Sequence, residues 1–550
     1  MSIRKNKNYF SNSASALITA LIFIVIGCLV VGGYLSYIME EAHMTKQLND
    51  SIKAFYLAEA GLERACKETY QDWYNHTPRL FRLNSIPSTN FPDPDSNSSM
   101  YEVTETWINT NLTKRIESTG TYGSETRTVY KYVYHPQQIT GAIIACSGSQ
   151  GAGKINGNVR IMGSVYISGE EPFVDANENN LYDSGESFND INGNGEWGPY
   201  IASDGKAFGS DITGNSEIGN NYGYMPADLK SRVPSIYDTD IAADTLDARL
   251  LVKYGKVPTG GSAAIGQVEN LSDNMKNTMD SVIIPDGDET PSSDIHTDEY
   301  LSGEANRSMF DDEIRIPSVK DAYTDHATGA FYASPANPYN SDTLGGYEQY
   351  LYTVATGTNG VFINGDLTIT PKSNFTIGNV TQAGKNGISV DGNGWMKING
   401  LVYVNGKLTF NTQQGKGTIN YSGRGSIYAR GYRNADKTDD IVINTHLLTK
   451  DSYKGAFPTN ALGLMTRENI LFAGSQNHVM GAFYAGNTIS MTKQYEIAGT
   501  VMSTYFDMTD QVPSIYQIPI LADNPPTYML PIARGVEKII FKEWTESSGQ

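Results

Sequence analysis

Cysteine is scarce. Three residues in 550 (Cys28, Cys66 and Cys146) are too few for a disulfide framework. Histidine is scarce too: His43, His76, His135, His296, His326, His446 and His478 are scattered, with no HExxH and no neighbouring nucleophile signature. Positive charge is in deficit, 41 Lys and Arg against 60 Asp and Glu, and a net charge of -19 disfavours nucleic acid, whose phosphates need a clustered basic surface. A near match to a phosphate-binding loop, Gly148 to Ile155, has Ile155 where a magnesium-binding Ser or Thr belongs and runs on as a strand, so nucleotide binding is rejected. No catalytic residue is assigned, and the chain is not expected to be an enzyme. What is abundant is glycine (54) and tyrosine (35), a β-rich and turn-rich signature unlike that of a helical bundle.

One long apolar run stands out. Arg4, Lys5 and Lys7 precede Ala16 to Ile38, which carries no charge; Glu40 and Glu41 follow. About 20 apolar residues span a bilayer, and the charge order puts the N-terminus in the cytoplasm. The helical pattern continues, with Met44, Leu48, Ile52, Phe55, Leu62 and Ala65 recurring every three or four residues. That stripe needs a partner. Alternating stretches at 100–108, 114–122 and 127–134, two of them joined by a Gly123-containing turn, predict an antiparallel sheet to cover it.

Ser13–Ile24, followed by the AFYLAEAGLERA stretch of Ala54–Ala65, resembles the N-terminal helix of PilX-like minor pilins in the type IV pilin superfamily, over residues 1 to about 75. The resemblance implies a leader (1–14) removed by a prepilin peptidase between Ala14 and Ser15, where the family usually has Gly before the cut. It also implies insertion in the inner membrane and assembly with other pilin subunits, with the bulk of the chain periplasmic and then at the cell surface. Major pilins carry a Glu five residues into the mature chain. Thr19 stands near that position here, as in PilX-like and pseudopilus tip subunits.

The expected fold is mainly β with a long N-terminal helix: a pilin-like α+β module (15–136), then a parallel β-helix or solenoid, with a β-sandwich as the alternative. The solenoid reading rests on short alternating strands entered or left through Gly or Asn-Gly, among them Ile155–Ile167, Val361–Ile369 and Ile398–Phe410. First rungs are assigned to 137–169 and later rungs to 355–510. An irregular acidic insert is expected at 201–354, and an extended cap at 511–550.

The segment 170–200 carries the sharpest motif. Asp175, Asn177, Asn179, Asp183 and Glu186 occupy positions 1, 3, 5, 9 and 12 of a twelve-residue loop, with Leu181 supplying a carbonyl at position 7. That is the oxygen spacing of an EF-hand calcium loop. A weaker copy keeps Asp190, Asn192 and Asn194. The pair resembles the tandem EF-hand-like loops of bacterial surface proteins, implying structural calcium. Cys66 and Cys146 are the candidate pair for a disulfide outside the membrane.

Three functions compete: a minor pilin-like subunit displaying a β-rich ectodomain for adhesion to a surface ligand or polysaccharide, or for filament assembly; a tethered carbohydrate-active enzyme, for which Asp366, Lys397, Lys407, Arg424 and Arg430 could share a groove; and the tip of a type II secretion pseudopilus.

Overall fold

The computed structural model describes residues 10–74, 86–91, 99–109, 113–134, 141–148, 153–177, 182–191, 193–199, 210–236, 244–270, 272–287, 294–309, 316–325, 328–339, 342–382, 384–412, 417–432, 440–491, 493–508, 513–522, 524–530 and 540–547. Two compact units divide the chain, 1–136 with 538–550, and 137–537.

In the first unit, helix α1 (Phe10–Tyr74) carries the apolar run and the amphipathic stripe without a break. Its apolar stretch is exposed and is long and apolar enough to cross a membrane. Further along, Ala58, Leu62 and Ala65 are buried against Tyr101, Val103, Ile116 and Val129 of an antiparallel sheet, and Ala54 is buried beside Gly120 of the same sheet. That sheet runs β1 (Ile86–Phe91), β2 (Ser99–Asn109), β3 (Thr113–Tyr122) and β4 (Glu125–Tyr134), each paired with the next. Close approach depends on small residues. A Cβ on Gly120 would lie 2.1 Å from the Ala54 carbonyl oxygen and 2.5 Å from the Ala58 nitrogen.

The fifth strand of this sheet comes from the far end of the chain. Ile540–Ser547 pairs antiparallel with β4, Ile540 opposite Tyr134. The sequence reading made 511–550 a cap on the second unit; its last strand instead completes the first. The second unit is therefore an insertion between two neighbouring strands of one sheet.

The second unit is built on a 22-stranded sheet whose pairings are parallel, apart from a local meander at 374–399. Its strands form three ladders. In the first, strand β5 (Ile143–Gly148) lies between Val165–Ile167 on one side and Tyr495–Asp507 on the other. From there the ladder extends outward through Arg249–Val252, Ser281–Ile284 and Tyr300–Ser302 in one direction. In the other it passes through Asn477–Met491, Ala461–Thr466, Thr418–Ala429, Trp395–Asn405 and Phe362–Asn364. One register row reads Val402, Ile427, Leu464, Phe483, Val501, Ile143, Val165, Leu250 and Val282, all buried. A second ladder stacks Leu367, Leu408, Ile441, Ile470, Ile489 and Phe506 in the same way. The third stacks Leu447, Val479, Ile497, Ile515, Ile161, Ile218 and Ile265.

The order of winding is unusual. The chain enters at β5 in mid-stack and winds outward to 300–302. It then crosses back through a segment containing helix α3 (Gly346–Thr356) and winds inward from the opposite end until 495–507 meets β5. Helix α2 (Ala227–Lys230) lies in a loop between the outward rungs. The expected irregular insert at 201–354 thus supplies ladder strands, among them Glu217–Gly219, Arg249–Val252 and Ser281–Ile284. Strands of two to four residues, separated by long turns, leave no periodicity for a sequence window to detect.

Gly120→Ala should unfold the first unit more easily, by about 1–3 kcal/mol, because the clash is with helix backbone that cannot rotate aside. Calorimetry of the full chain in detergent would show one transition lowered and the other unmoved. An unchanged thermogram would remove the close helix–sheet contact from the account.

Candidate functional site

The acidic loop at 175–186 is folded around its own carboxylates. Asp175 is buried; its Oδ1 accepts from Asn177 N (3.1 Å), and its own N–H donates to Asp321 Oδ1 (3.0 Å). Glu186 bridges the two ends of the loop, Oε1 accepting from Ala176 N (2.7 Å) and Oε2 from Asp183 N (3.0 Å). Asn177 Nδ2 donates to Asp183 Oδ2 at 2.7 Å. Four of the predicted ligands, Asp175, Asn177, Asp183 and Glu186, thus converge on one small loop; Asn179 and Leu181 lie outside the described residues. In the second copy Asp190 accepts from Asn194 N and Gly195 N, which forms a turn; Asn192 lies outside the described residues. Among the described residues no three His, Cys, Asp or Glu side chains are gathered closely enough to hold a metal. An aromatic cluster supports the lobe: Tyr182 stacks on Trp197 at 4.5 Å, and Phe173 meets both edge-on.

The other sequence candidates are dispersed. Ser15 lies within α1, its carbonyl accepting from Thr19 Oγ1; Ala14 precedes it in the same helix. Cys66 is buried in the core of the first unit and Cys146 in that of the second. Of the five proposed groove residues only Asp366 and Lys407 meet, through the Lys407 backbone N–H. Asp366 binds the Lys407 N–H and the Tyr432 hydroxyl, Lys397 is exposed, and Arg424 donates to the Pro458 carbonyl.

Arg430 instead joins a buried ion cluster that the sequence did not suggest. Glu348, in the first turn of α3, is fully buried; Lys320 Nζ and the Tyr428 hydroxyl (3.0 Å) hydrogen-bond to it, and Arg430 forms an ion pair with it, Nε lying 3.3 Å away. Arg467, 7% exposed, pairs with Asp342 on the rim at 2.9 Å. Burial lowers the Lys320 pKa, and the cations Arg467 and Arg430 add to this against the pull of Glu348.

A second unforeseen constellation lies on the outer side of the third ladder. Register places His446, His478, Glu496, Ser514, Arg160 and Glu217 on successive strands. His478 N–H donates to His446 Nδ1 (3.0 Å), and the two rings meet edge-on at 5.5 Å. His478 Nδ1 is 2.7 Å from Asp228 of α2. The Tyr516 hydroxyl bonds Glu496 Oε2 at 2.9 Å, Gln267 bonds Glu217 Oε1 at 2.8 Å, and Arg160 lies over the Tyr224 ring at 4.1 Å. Burial raises the Glu496 and Glu217 pKa values, against the opposing influence of Arg160. Both histidines were visible in the sequence as scattered residues. Only the register brings them together, and no sequence signal announces it.

Asp440 is buried and has one oxygen, Oδ1, without a hydrogen-bond partner among the described residues; Oδ2 accepts from Thr466 Oγ1 at 2.9 Å.

No protein-family model matches the sequence, and no curated protein is similar to it in sequence. Among solved structures, the competence-associated pilin ComZ from Thermus thermophilus aligns over 90% of this chain and 97% of its own, at 18% identity and a TM-score of 0.49.

Asp440 gives a pH prediction. Desolvation, reinforced by Glu468, pushes its pKa from 3.8 to about 7 despite Thr466, Arg467 and Lys407. The folded state therefore holds this proton more tightly than the unfolded one. The contribution to stability is complete below about pH 4 and is lost as pH rises through about 7. Asp440→Asn should melt several degrees higher than the parent at pH 8 and no higher at pH 4. Equal differences at both pH values would contradict the assignment.

Proposed function

We propose that the chain is a membrane-tethered, pilin-like filament subunit that carries the second unit as an adhesive or assembly-directing ectodomain. The observation that carries this reading is α1. One continuous helix has an exposed apolar stretch of membrane-spanning length, and its later turns bury small residues against an antiparallel sheet. An apolar helix surface of this kind can exchange lipid contacts for contacts with neighbouring helices. Thr19 in place of an acidic residue, and the bulk of the insertion, fit a rare tip or initiating subunit better than a repeated one. The three ladders are read as the three faces of a parallel β-helix, each inward row of Ile, Val, Leu and Phe being a stacked core.

The loop 175–186 is read as a structural calcium site held by Asp175, Asn177, Asp183 and Glu186. What supports it is the ligand spacing, together with the hydrogen bonds that tie these four residues into one loop. A cation there would replace backbone N–H groups as the partner of Glu186 and stiffen the Tyr182–Trp197 stack.

Two measurements test these readings. Mass spectrometry of sheared surface filaments from the native host should recover a chain beginning near Ser15. An intact Met1 confined to the membrane fraction would end the filament reading. Calcium added to the chelator-treated protein should change the Trp197 fluorescence, and Glu186→Gln should weaken the response at least tenfold. A flat titration, or a Glu186→Gln response equal to the parent's, would dismiss the calcium site.

A further inference from the structure

The buried ion cluster at α3 holds more positive than negative charge. Lys320, Arg430 and Arg467 meet there, with side chains 6%, 21% and 7% exposed. Against them stand Glu348, with no exposure, and Asp342, 66% exposed on the rim, where water screens it. The surplus is felt inside the cluster, since Arg467 and Arg430 both add to burial in lowering the Lys320 pKa. Donors are in surplus too. Among the described residues, Arg467 Nε and Nη1, Arg430 Nε and the Tyr403 hydroxyl are buried without a hydrogen-bond partner. Arg430 Nε lies 3.3 Å from Glu348 Oε1, an ion pair only. The fold brings these atoms into one neighbourhood. Arg430 and Arg467 follow Ala429 and Thr466, which are partners in adjacent strands, and both reach Asp342, one at its carbonyl and the other at its carboxylate. Tyr403 partners Tyr428, their rings 5.1 Å apart, and the Tyr428 hydroxyl shares Glu348 Oε1 with Arg430. The charges of both arginines bear on the Tyr403 hydroxyl. A buried donor without a partner costs the desolvation of that group, and a buried cation costs more.

We propose that these donors hold one small monovalent anion, a chloride ion, between Arg467, Arg430 and Tyr403. Guanidinium N–H groups and a phenol O–H donate charge-assisted hydrogen bonds to an anion, and arginine cannot give up its proton to escape the demand for one. A single negative charge balances three cations set against two carboxylates; a divalent phosphate or sulfate would overshoot. Asp440, whose charge interacts with that of Arg467 and of Glu468, is the rival counter-ion. Burial holds its pKa at about 7, so below that pH it is neutral and leaves the surplus standing. The ion would fasten the crossing segment, which supplies Lys320, Asp342 and Glu348, to the first ladder, whose strands and the turns after them supply Tyr403, Arg430 and Arg467.

The site belongs to the second unit and does not depend on the filament reading. A ligand bound only by the folded state raises the melting temperature as it saturates. Calorimetry of the full chain in non-ionic detergent at about pH 6, with sodium chloride replacing sodium gluconate at fixed ionic strength, should raise the transition of the second unit by several degrees and leave that of the first unmoved. Tyr403→Phe separates the ion from a merely structural role. A buried hydroxyl that bonds nothing can be removed with no loss in either salt; a hydroxyl that donates to chloride cannot, and the chloride shift should fall at least twofold. Arg467→Gln should abolish the shift, and Lys397→Ala, an exposed cation of the first ladder, should keep it whole. If Arg467→Gln fails to fold, Tyr403→Phe carries the test alone. Coinciding melts in the two salts would mean that water alone meets these donors, and would overturn the site. A chloride shift kept in full by Tyr403→Phe would also overturn it, as a general salt effect.

Discussion

Everything in the second unit depends on in-register stacking of parallel strands. A strand's outer backbone groups remain unsatisfied until a neighbour covers them, and a slip of one residue would turn an entire apolar row outward. The row from Val402 to Val282 crosses nine strands with one apolar residue at each level. Because the chain enters at β5 in mid-stack, the two halves wind separately, and strand 495–507 then satisfies the open side of β5. The closure is between residues remote in sequence, so neither half has a fully paired inner edge without the other.

The same closure explains how so large a segment fits inside a small sheet. An insertion between neighbouring strands must begin and end close together. In the first unit, Tyr134 and Ile540 are direct partners. In the second, β5 and the last long strand are adjacent, and Ser514 partners Arg160 soon after. The requirement is met by pairing on both sides, and a solenoid wound from one end to the other would not have met it.

What the sequence disclosed follows from what periodicity can carry. Helix α1 and strands β2 to β4 are long and locally patterned, so the apolar run, the Ala54–Ala65 stripe and the Gly123 turn were legible. Strands such as Glu217–Gly219 and Ala264–Ile265 are too short to announce themselves. The strand Ile540–Ser547 pairs with a strand that lies roughly four hundred residues away in the chain, and no local rule selects that partner. The calcium-type spacing was legible because all the residues that make it up lie in one loop. The ion cluster and the charged row were not, since each gathers residues from several rungs.

Glu348 shows why the crossing segment needs more than apolar contact. That segment returns along the outside of the first ladder, over a row of large side chains that includes Tyr403, Tyr428 and Tyr484. A greasy surface of this kind tolerates sliding, because burial is non-directional. A carboxylate with no solvent exposure does not. Moved by one residue, Glu348 would leave Lys320 and Tyr428 and stand charged in the interior, while Lys320 and Arg430 faced each other without it. Breaking such a pair costs about 3–5 kcal/mol, far more than its presence adds to stability. The cluster therefore acts on position: it makes one placement of α3 tenable and the neighbouring ones expensive. The crossing segment, which has no ladder register of its own, is held in place by that charge.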